Sequence, residues 1–172
     1  MPARPNTTDA ETLADYTSET LIIPNLRGHD MATAMQELTH ALRIGGHIAD
    51  ALAFYHAATN MEFLHSSAMT CGIAFPHVRS PNVAQVCFAL GRAAAPIMWK
   101  GGNVALPVRL VFLLALPATE ASDYISAVLS LGGLPQNTEL VARLLAASTS
   151  TEMLALLRGV RLALPRGKRR VI

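Results

Sequence analysis

The sequence predicts an α/β layered domain, a mixed and largely buried β-sheet flanked by helices on both faces. Three observations carry that expectation. Val108 to Leu116 is apolar at every position but Arg109, the pattern of a strand covered on both sides. Two shorter apolar segments, Gly72 to Pro76 and Val83 to Leu90, have strand character. Several other segments repeat apolar residues at helical spacing between capping residues. A chain of 172 residues, 51% apolar and 15% charged, fits one domain with tails and excludes wholesale disorder.

In chain order, residues 1–18 are polar, with Pro2, Pro5 and several threonines, and read as a flexible lead. Leu21-Ile22-Ile23 is stopped by Pro24, as an edge strand or docking segment would be. Asp30 caps a helix whose apolar residues are Met31, Ala34, Met35, Leu38 and Leu42, closed by Gly45-Gly46. A second helix is expected from about Ile48 to Asn60, with Ile48, Leu52, Tyr55 and Ala58 on related faces. The strand ending at Pro76 leads into a loop that holds His77. After the strand at Val83 to Leu90, Trp99 and Lys100 fall in a turn with Gly101-Gly102, the tryptophan partly buried. Beyond the central strand come three helices. One runs from about Ala118 to Leu131 and ends at Gly132-Gly133. One spans about Thr138 to Ala147 behind an Asn137 cap. The last is opened by the capping box Thr149-Ser150-Thr151-Glu152 and stopped by Gly159. The domain is expected over residues 19–160, with a basic tail at 161–172.

Composition narrows the function classes. No apolar stretch follows the start as a secretory signal would require, and the run Leu110 to Ala118 is too short to span a bilayer, so a cytoplasmic location is expected. Cys71 and Cys87 are too few for a disulfide framework and lack metal-ligand spacing; Cys71 is expected to pack on its strand. His29, His40, His47 and His56 are scattered without metal-like pairing, and no metal or cofactor is expected. The net charge of +2 is unevenly placed: Asp9, Glu11, Asp15 and Glu19 lie near the start, and Arg158, Arg161, Arg166, Lys168, Arg169 and Arg170 near the end. No aromatic residues interleave with those basic residues, so a solvated tail is expected rather than nucleic-acid binding.

The chemistry concentrates between Glu62 and Arg79. Hydroxyl residues Ser66 and Ser67 come first, then an apolar strand, then Pro76-His77-Val78-Arg79. Pro76 fixes its own φ and keeps Phe75 extended, which holds His77 at the strand exit. A neutral imidazole offers a nitrogen lone pair near neutral pH. It can attack a phosphoryl group without a strong base, and the Arg79 fork and the serine hydroxyls suit phosphate oxygens.

This stretch resembles the signature of enzyme IIA domains of the fructose/mannitol and nitrogen-type phosphotransferase systems. Their pattern is an Arg-Glu pair, then Ser-Thr-x-Ile-Gly-x-Gly-Ile-Ala-Ile-Pro-His. Glu62, Ser66, Ser67, Gly72, Ile73, Ala74, Pro76 and His77 occupy matching places. Pro107-Val108-Arg109-Leu110-Val111-Phe112-Leu113-Leu114-Ala115-Leu116-Pro117 is similar to the family's Pro-Val-x-Leu-x-Phe-Leu-Leu-x-x-Pro strand, and Leu140 to Leu157 to its closing helices. The likeness covers about residues 18–160. It implies a mixed sheet flanked by helices and a phosphorylated histidine at His77. Arg79, Ser66, Ser67 and Tyr124 would support the phosphoryl group, and Glu62 would give structural support. The implied donor is the histidine phosphocarrier protein. The implied acceptor is the IIB domain of a membrane transporter, a peripheral membrane contact, or regulatory target proteins in the nitrogen branch.

The sequence departs from the family pattern at several places. Tyr124 stands where the family has a second histidine, Met61 where it has the arginine before Glu62, Thr70 at its first glycine and Val104 at its aspartate. His65 stands at another glycine place and is not expected to act in catalysis. A tyrosine hydroxyl still donates a hydrogen bond but does not become cationic. Two other readings therefore stay open: a regulatory or protein-binding module that keeps the fold without transfer, and an anion-binding domain that uses Arg79 and the serines.

Overall fold

A computed structural model describes residues 12–119, 128 and 130–162. The regular elements are β1 (Ile22–Ile23), α1 (Met31–Ile44), α2 (Ala51–Leu64), β2 (Ile73–Ala74), β3 (His77–Ser80), β4 (Cys87–Gly101), β5 (Val104–Pro117), α3 (Thr138–Ala146) and α4 (Ser150–Arg158). Short 3-10 turns occupy Leu13–Tyr16, Glu19–Leu21 and Leu134–Gln136. Tyr124, most of the helix expected from Ala118 to Leu131, and the tail beyond 162 lie outside the described residues.

The helix starts follow local chemistry. Asp30 Oδ1 accepts from Thr33 N at 2.8 Å, and the Thr33 hydroxyl accepts from Asp30 N, a reciprocal cap for α1. The hydrogen bonds from Thr33, its backbone N–H foremost, hold the Asp30 carboxyl below its ordinary 3.8. Asn137 and Thr149 cap α3 and α4 from one side, each accepting from the backbone N–H three residues on, and Glu152 reaches back to Ser148 N at 3.1 Å rather than to the cap residue. α2 begins later than the sequence pattern suggests, because Asp50 Oδ1 accepts from Ala53 N at 3.0 Å and sets the start there. Its buried face is Phe54, Ala58, Thr59 and Glu62, and Leu52 is exposed. Ile48, expected inside that helix, instead bridges to Val83, and the neighbouring strand starts at Cys87.

The sheet order is β1-β4-β5-β2, with β3 also on β5. β4 and β5 pair antiparallel, whereas β1 on β4 and β2 and β3 on β5 are parallel, so the sheet is mixed. β5 is central. Val111, Leu113 and Ala115 face a core with Met35, Leu38 and Leu42 of α1 and Phe54 and Ala58 of α2. Leu110, Phe112, Leu114 and Leu116 face a second core with Leu140 and Leu144 of α3 and Met153 and Leu157 of α4. The period of two thus sorts one strand between two helical layers. Among the described residues no helix is long and apolar enough to cross a membrane.

Three further expectations are corrected. The described part of the lead is not loose: Leu13 and Tyr16 are buried in the second core. Cys71 is exposed rather than packed. Trp99 is not in a turn. β4 continues through a bulge between Arg92 and Ile97 to Gly101, and Trp99, paired with Leu106, is fully buried in the first core.

Candidate functional site

The candidate site is built where β2 gives way to β3. Gly72, at φ 85°, turns the chain into β2, and its carbonyl accepts from the N–H groups of Arg109 at 2.8 Å and Leu110 at 3.2 Å. β2 ends at Ala74 and Phe75 stacks its ring on Phe112, the centroids 5.4 Å apart. Pro76 has no N–H to give, but its carbonyl accepts from Leu114 N at 2.8 Å and keeps the chain on β5. His77 therefore does not hang in a loop, as the sequence suggests. It opens β3, in register with Leu114.

Along β3 the side chains alternate. His77 and Arg79 are exposed, and Val78 and Ser80 are buried. His77 and Arg79 thus share one face, about 7 Å apart along the strand. The His77 Nδ1 lies 3.1 Å from the carbonyl oxygen of Phe75. A carbonyl only accepts, so in the neutral ring this contact places the proton on Nδ1 and the lone pair on Nε2.

The serines and Glu62 lie behind that turn. Glu62, on the last turn of α2, is 2% exposed. Its Oε2 accepts from the Trp99 indole Nε1 at 2.8 Å and from the Ser67 backbone N–H at 3.0 Å. The Ser67 hydroxyl oxygen accepts from Phe75 N at 2.9 Å, and the Ser66 hydroxyl oxygen from Ala68 N at 3.2 Å. Met61, beside Glu62, is 44% exposed. His65 is exposed at the C-cap of α2. The tip of the β4–β5 hairpin closes against this end of α2: Gly102 N donates to Phe63 O at 2.7 Å. Gly101 sits so near the Glu62 carbonyl oxygen that an added Cβ would overlap it, and would stand 3.0 Å from the Ser66 Cβ.

The structure thus links Glu62, Ser67 and His77 through Phe75, sets Arg79 on the His77 face, and gives Ser66 to the local turn. The residue that sequence reasoning missed is Trp99. Its only trace in the sequence is that it is the sole tryptophan in a chain with few aromatics. Among the described residues no group of three or more His, Cys, Asp or Glu is arranged to hold a metal ion.

Comparison with known proteins gives a consistent result. The family model for the phosphoenolpyruvate-dependent sugar phosphotransferase system, EIIA 2, matches residues 15–159. The PTS system 2-O-alpha-mannosyl-D-glycerate-specific EIIABC component of Escherichia coli K12 is 29% identical over 146 residues, which cover 84% of this chain and only 22% of that protein. A nitrogen regulatory protein of Bradyrhizobium diazoefficiens is 26% identical over 133 residues, 77% of this chain and 85% of the relative. Among solved structures, nitrogen regulatory protein IIA-Ntr from Neisseria meningitidis superposes with a TM-score of 0.71 at 21% identity, covering 84% of this chain and 98% of that one. IIA mannitol from E. coli, in a complex with phosphorylated enzyme IIB mannitol, gives 0.68 at 19% identity, covering 83% and 96%. These structural likenesses establish the shared fold.

Proposed function

The chain belongs to the type-2 enzyme IIA family of the phosphoenolpyruvate-dependent sugar phosphotransferase system, and on that premise we propose that it is a phosphocarrier that takes a phosphoryl group on His77. The observation that carries this reading is the exposed imidazole at the head of β3, with Nδ1 on the Phe75 carbonyl and the Nε2 lone pair left over. The donor is a phosphohistidine of the histidine phosphocarrier protein. As the new P–Nε2 bond forms, the old P–N bond breaks and its electron pair returns to the donor ring. No net proton transfer is needed. The loaded ring carries positive charge, which strengthens its Nδ1–H hydrogen bond to Phe75 O. Arg79, on the same face, supports the phosphoryl oxygens. The Tyr124 hydroxyl donates in place of the family's second histidine, and Ser66 and Ser67 shape the turn behind. The acceptor is a IIB domain or a regulatory target protein, and the setting is the cytoplasm.

The test is labelling with radioactive phosphoenolpyruvate, the general phosphotransferase enzyme and the histidine phosphocarrier protein. Wild type should gain an acid-labile, base-stable label and His77→Ala none. A label retained in the variant sinks the assignment.

A second reading has its own observation. Met61 presents an apolar side chain where the family has its arginine, and Tyr124 does not become cationic as a histidine does. Such a site suits a module that docks partners without transfer. That module would capture the same partners as wild type and as His77→Ala, and would stay unlabelled with a competent donor.

A further inference from the structure

A buried carboxylate is costly unless hydrogen bonds meet it. Glu62 is met by two N–H donors, the Trp99 indole and the Ser67 backbone, both on Oε2. The path does not stop there. Ser67 turns its hydroxyl oxygen to Phe75 N, and Phe75 offers its carbonyl to His77 Nδ1. Hydrogen bonds therefore run without a break from the β4–β5 hairpin, through the end of α2, to the imidazole. From this path we infer that Glu62 and Ser67 are positioning residues for His77: they fix the Phe75 backbone, and with it the Nδ1–H tautomer that leaves Nε2 open to a phosphoryl group. The inference deepens the phosphocarrier reading and rests on it for its purpose.

The local backbone explains why support is needed here. Between Ala74 and His77 the β5 grip is the bond from Leu114 N to Pro76 O, at 2.8 Å, because Pro76 has no N–H. Both polar backbone groups of Phe75 are held by side chains, the Ser67 hydroxyl on one side and the His77 ring on the other. Without Ser67 the Phe75 unit is free to tilt, and its carbonyl leaves Nδ1. An imidazole released in this way samples both tautomers, and the Nε2–H form has no lone pair at the nitrogen that should attack. Glu62 acts one step further back. Its carboxylate holds the Ser67 backbone N–H, so it decides where the hydroxyl points. Trp99 anchors the carboxylate from the hairpin.

The experiment reads the ring directly, on unphosphorylated full-length protein at mildly alkaline pH. Long-range ¹H–¹⁵N spectra of the histidine rings, with His77 assigned by loss of its signals in His77→Ala, distinguish the two tautomers. Wild type should show His77 as Nδ1–H. Ser67→Ala and Glu62→Ala should give a mixed population with a substantial Nε2–H share. Glu62→Gln and Ser67→Thr should return the ring to the wild-type pattern, because an amide oxygen and a hydroxyl still accept. In transfer assays the labelling rate should fall in proportion to the lost Nδ1–H fraction. Circular dichroism checks that each variant is folded, and Ser67→Ala carries the test if Glu62→Ala does not fold. A folded Ser67→Ala with unchanged His77 ring signals overturns the positioning role, as does Glu62→Gln behaving like Glu62→Ala. The spectra involve no phosphoryl group, so a protein that never labels would undo the phosphocarrier reading and leave this result standing.

Discussion

Arg92 and Glu62 are charged side chains drawn into the protein, and both hydrogen-bond to uncharged groups, yet they grip different kinds of backbone. Arg92 Nε donates to Leu145 O at 2.7 Å and its Nη1 donates to Pro24 O at 2.9 Å. Leu145 lies in the last turn of α3, where carbonyls lack helical partners and a cation suits the dipole. Arg92 therefore fastens β4 to two segments that have hydrogen bonds and apolar contacts of their own. Glu62 holds Ser67, in the segment between α2 and β2, where the neighbouring backbone bonds are local, such as Met69 N to Ile73 O at 2.8 Å, until Gly72 O meets Arg109 and Leu110 of β5. The same device acts as reinforcement in one place and as alignment in the other. Removing Arg92 should weaken the fold. Removing Glu62 should misdirect a site.

That contrast can be broken by three measurements. The largest effect is expected from Trp99→Ala. Emptying the space of a fully buried indole should cost about 3–5 kcal/mol in urea unfolding, and it also takes one donor from Glu62. A loss below about 1 kcal/mol would mean that the hairpin is not packed as described. Next is Arg92→Ala, which should cost about 2 kcal/mol through its two lost charge-assisted hydrogen bonds, while the His77 ring signals stay as in wild type. If those signals move as far as in Ser67→Ala, the two residues are not different in kind. The smallest effect concerns Asp30. Its folded-state carboxyl titrates below 3.8, so the cap stabilises above that value and is lost as pH falls through the lowered one. Asp30→Ala should cost about 1 kcal/mol at neutral pH. Asp30→Asn should keep the cap and flatten the acid limb of the unfolding curve, and an unchanged acid limb would show that Asp30 does not contribute to it.

The features legible in the sequence are those whose cause is local. Asp30, Asn137 and Thr149 each bond a backbone N–H three residues on, so the starts of α1, α3 and α4 can be read from neighbouring letters. β5 is legible because both of its faces are apolar. The misreadings share a non-local cause. Ala93-Ala94-Ala95-Pro96 resembles the end of a strand, but pairing with β5 resumes beyond the bulge and carries β4 to Gly101. His77 reads as a loop residue because Pro76 precedes it, and only the partner strand shows that Pro76 still offers its carbonyl. At the site, the order Glu62, Ser66, Ser67, His77 and Arg79 is plain in the sequence. Trp99 as the partner of Glu62 is not, since the two are 37 residues apart and meet only when the hairpin folds over α2.

Gly101 gives this arrangement its narrowest tolerance. A single added methyl group there would collide with the Glu62 carbonyl oxygen and crowd Ser66. The hairpin would have to lift from α2, taking the Trp99 indole with it, and the disturbance would travel to an imidazole that the new methyl never touches. Sequence drift at this protein is therefore constrained at a position that carries no charge, no hydroxyl and no side chain. An inventory of reactive groups would pass over it, although one carbon atom there is enough to put the histidine out of true.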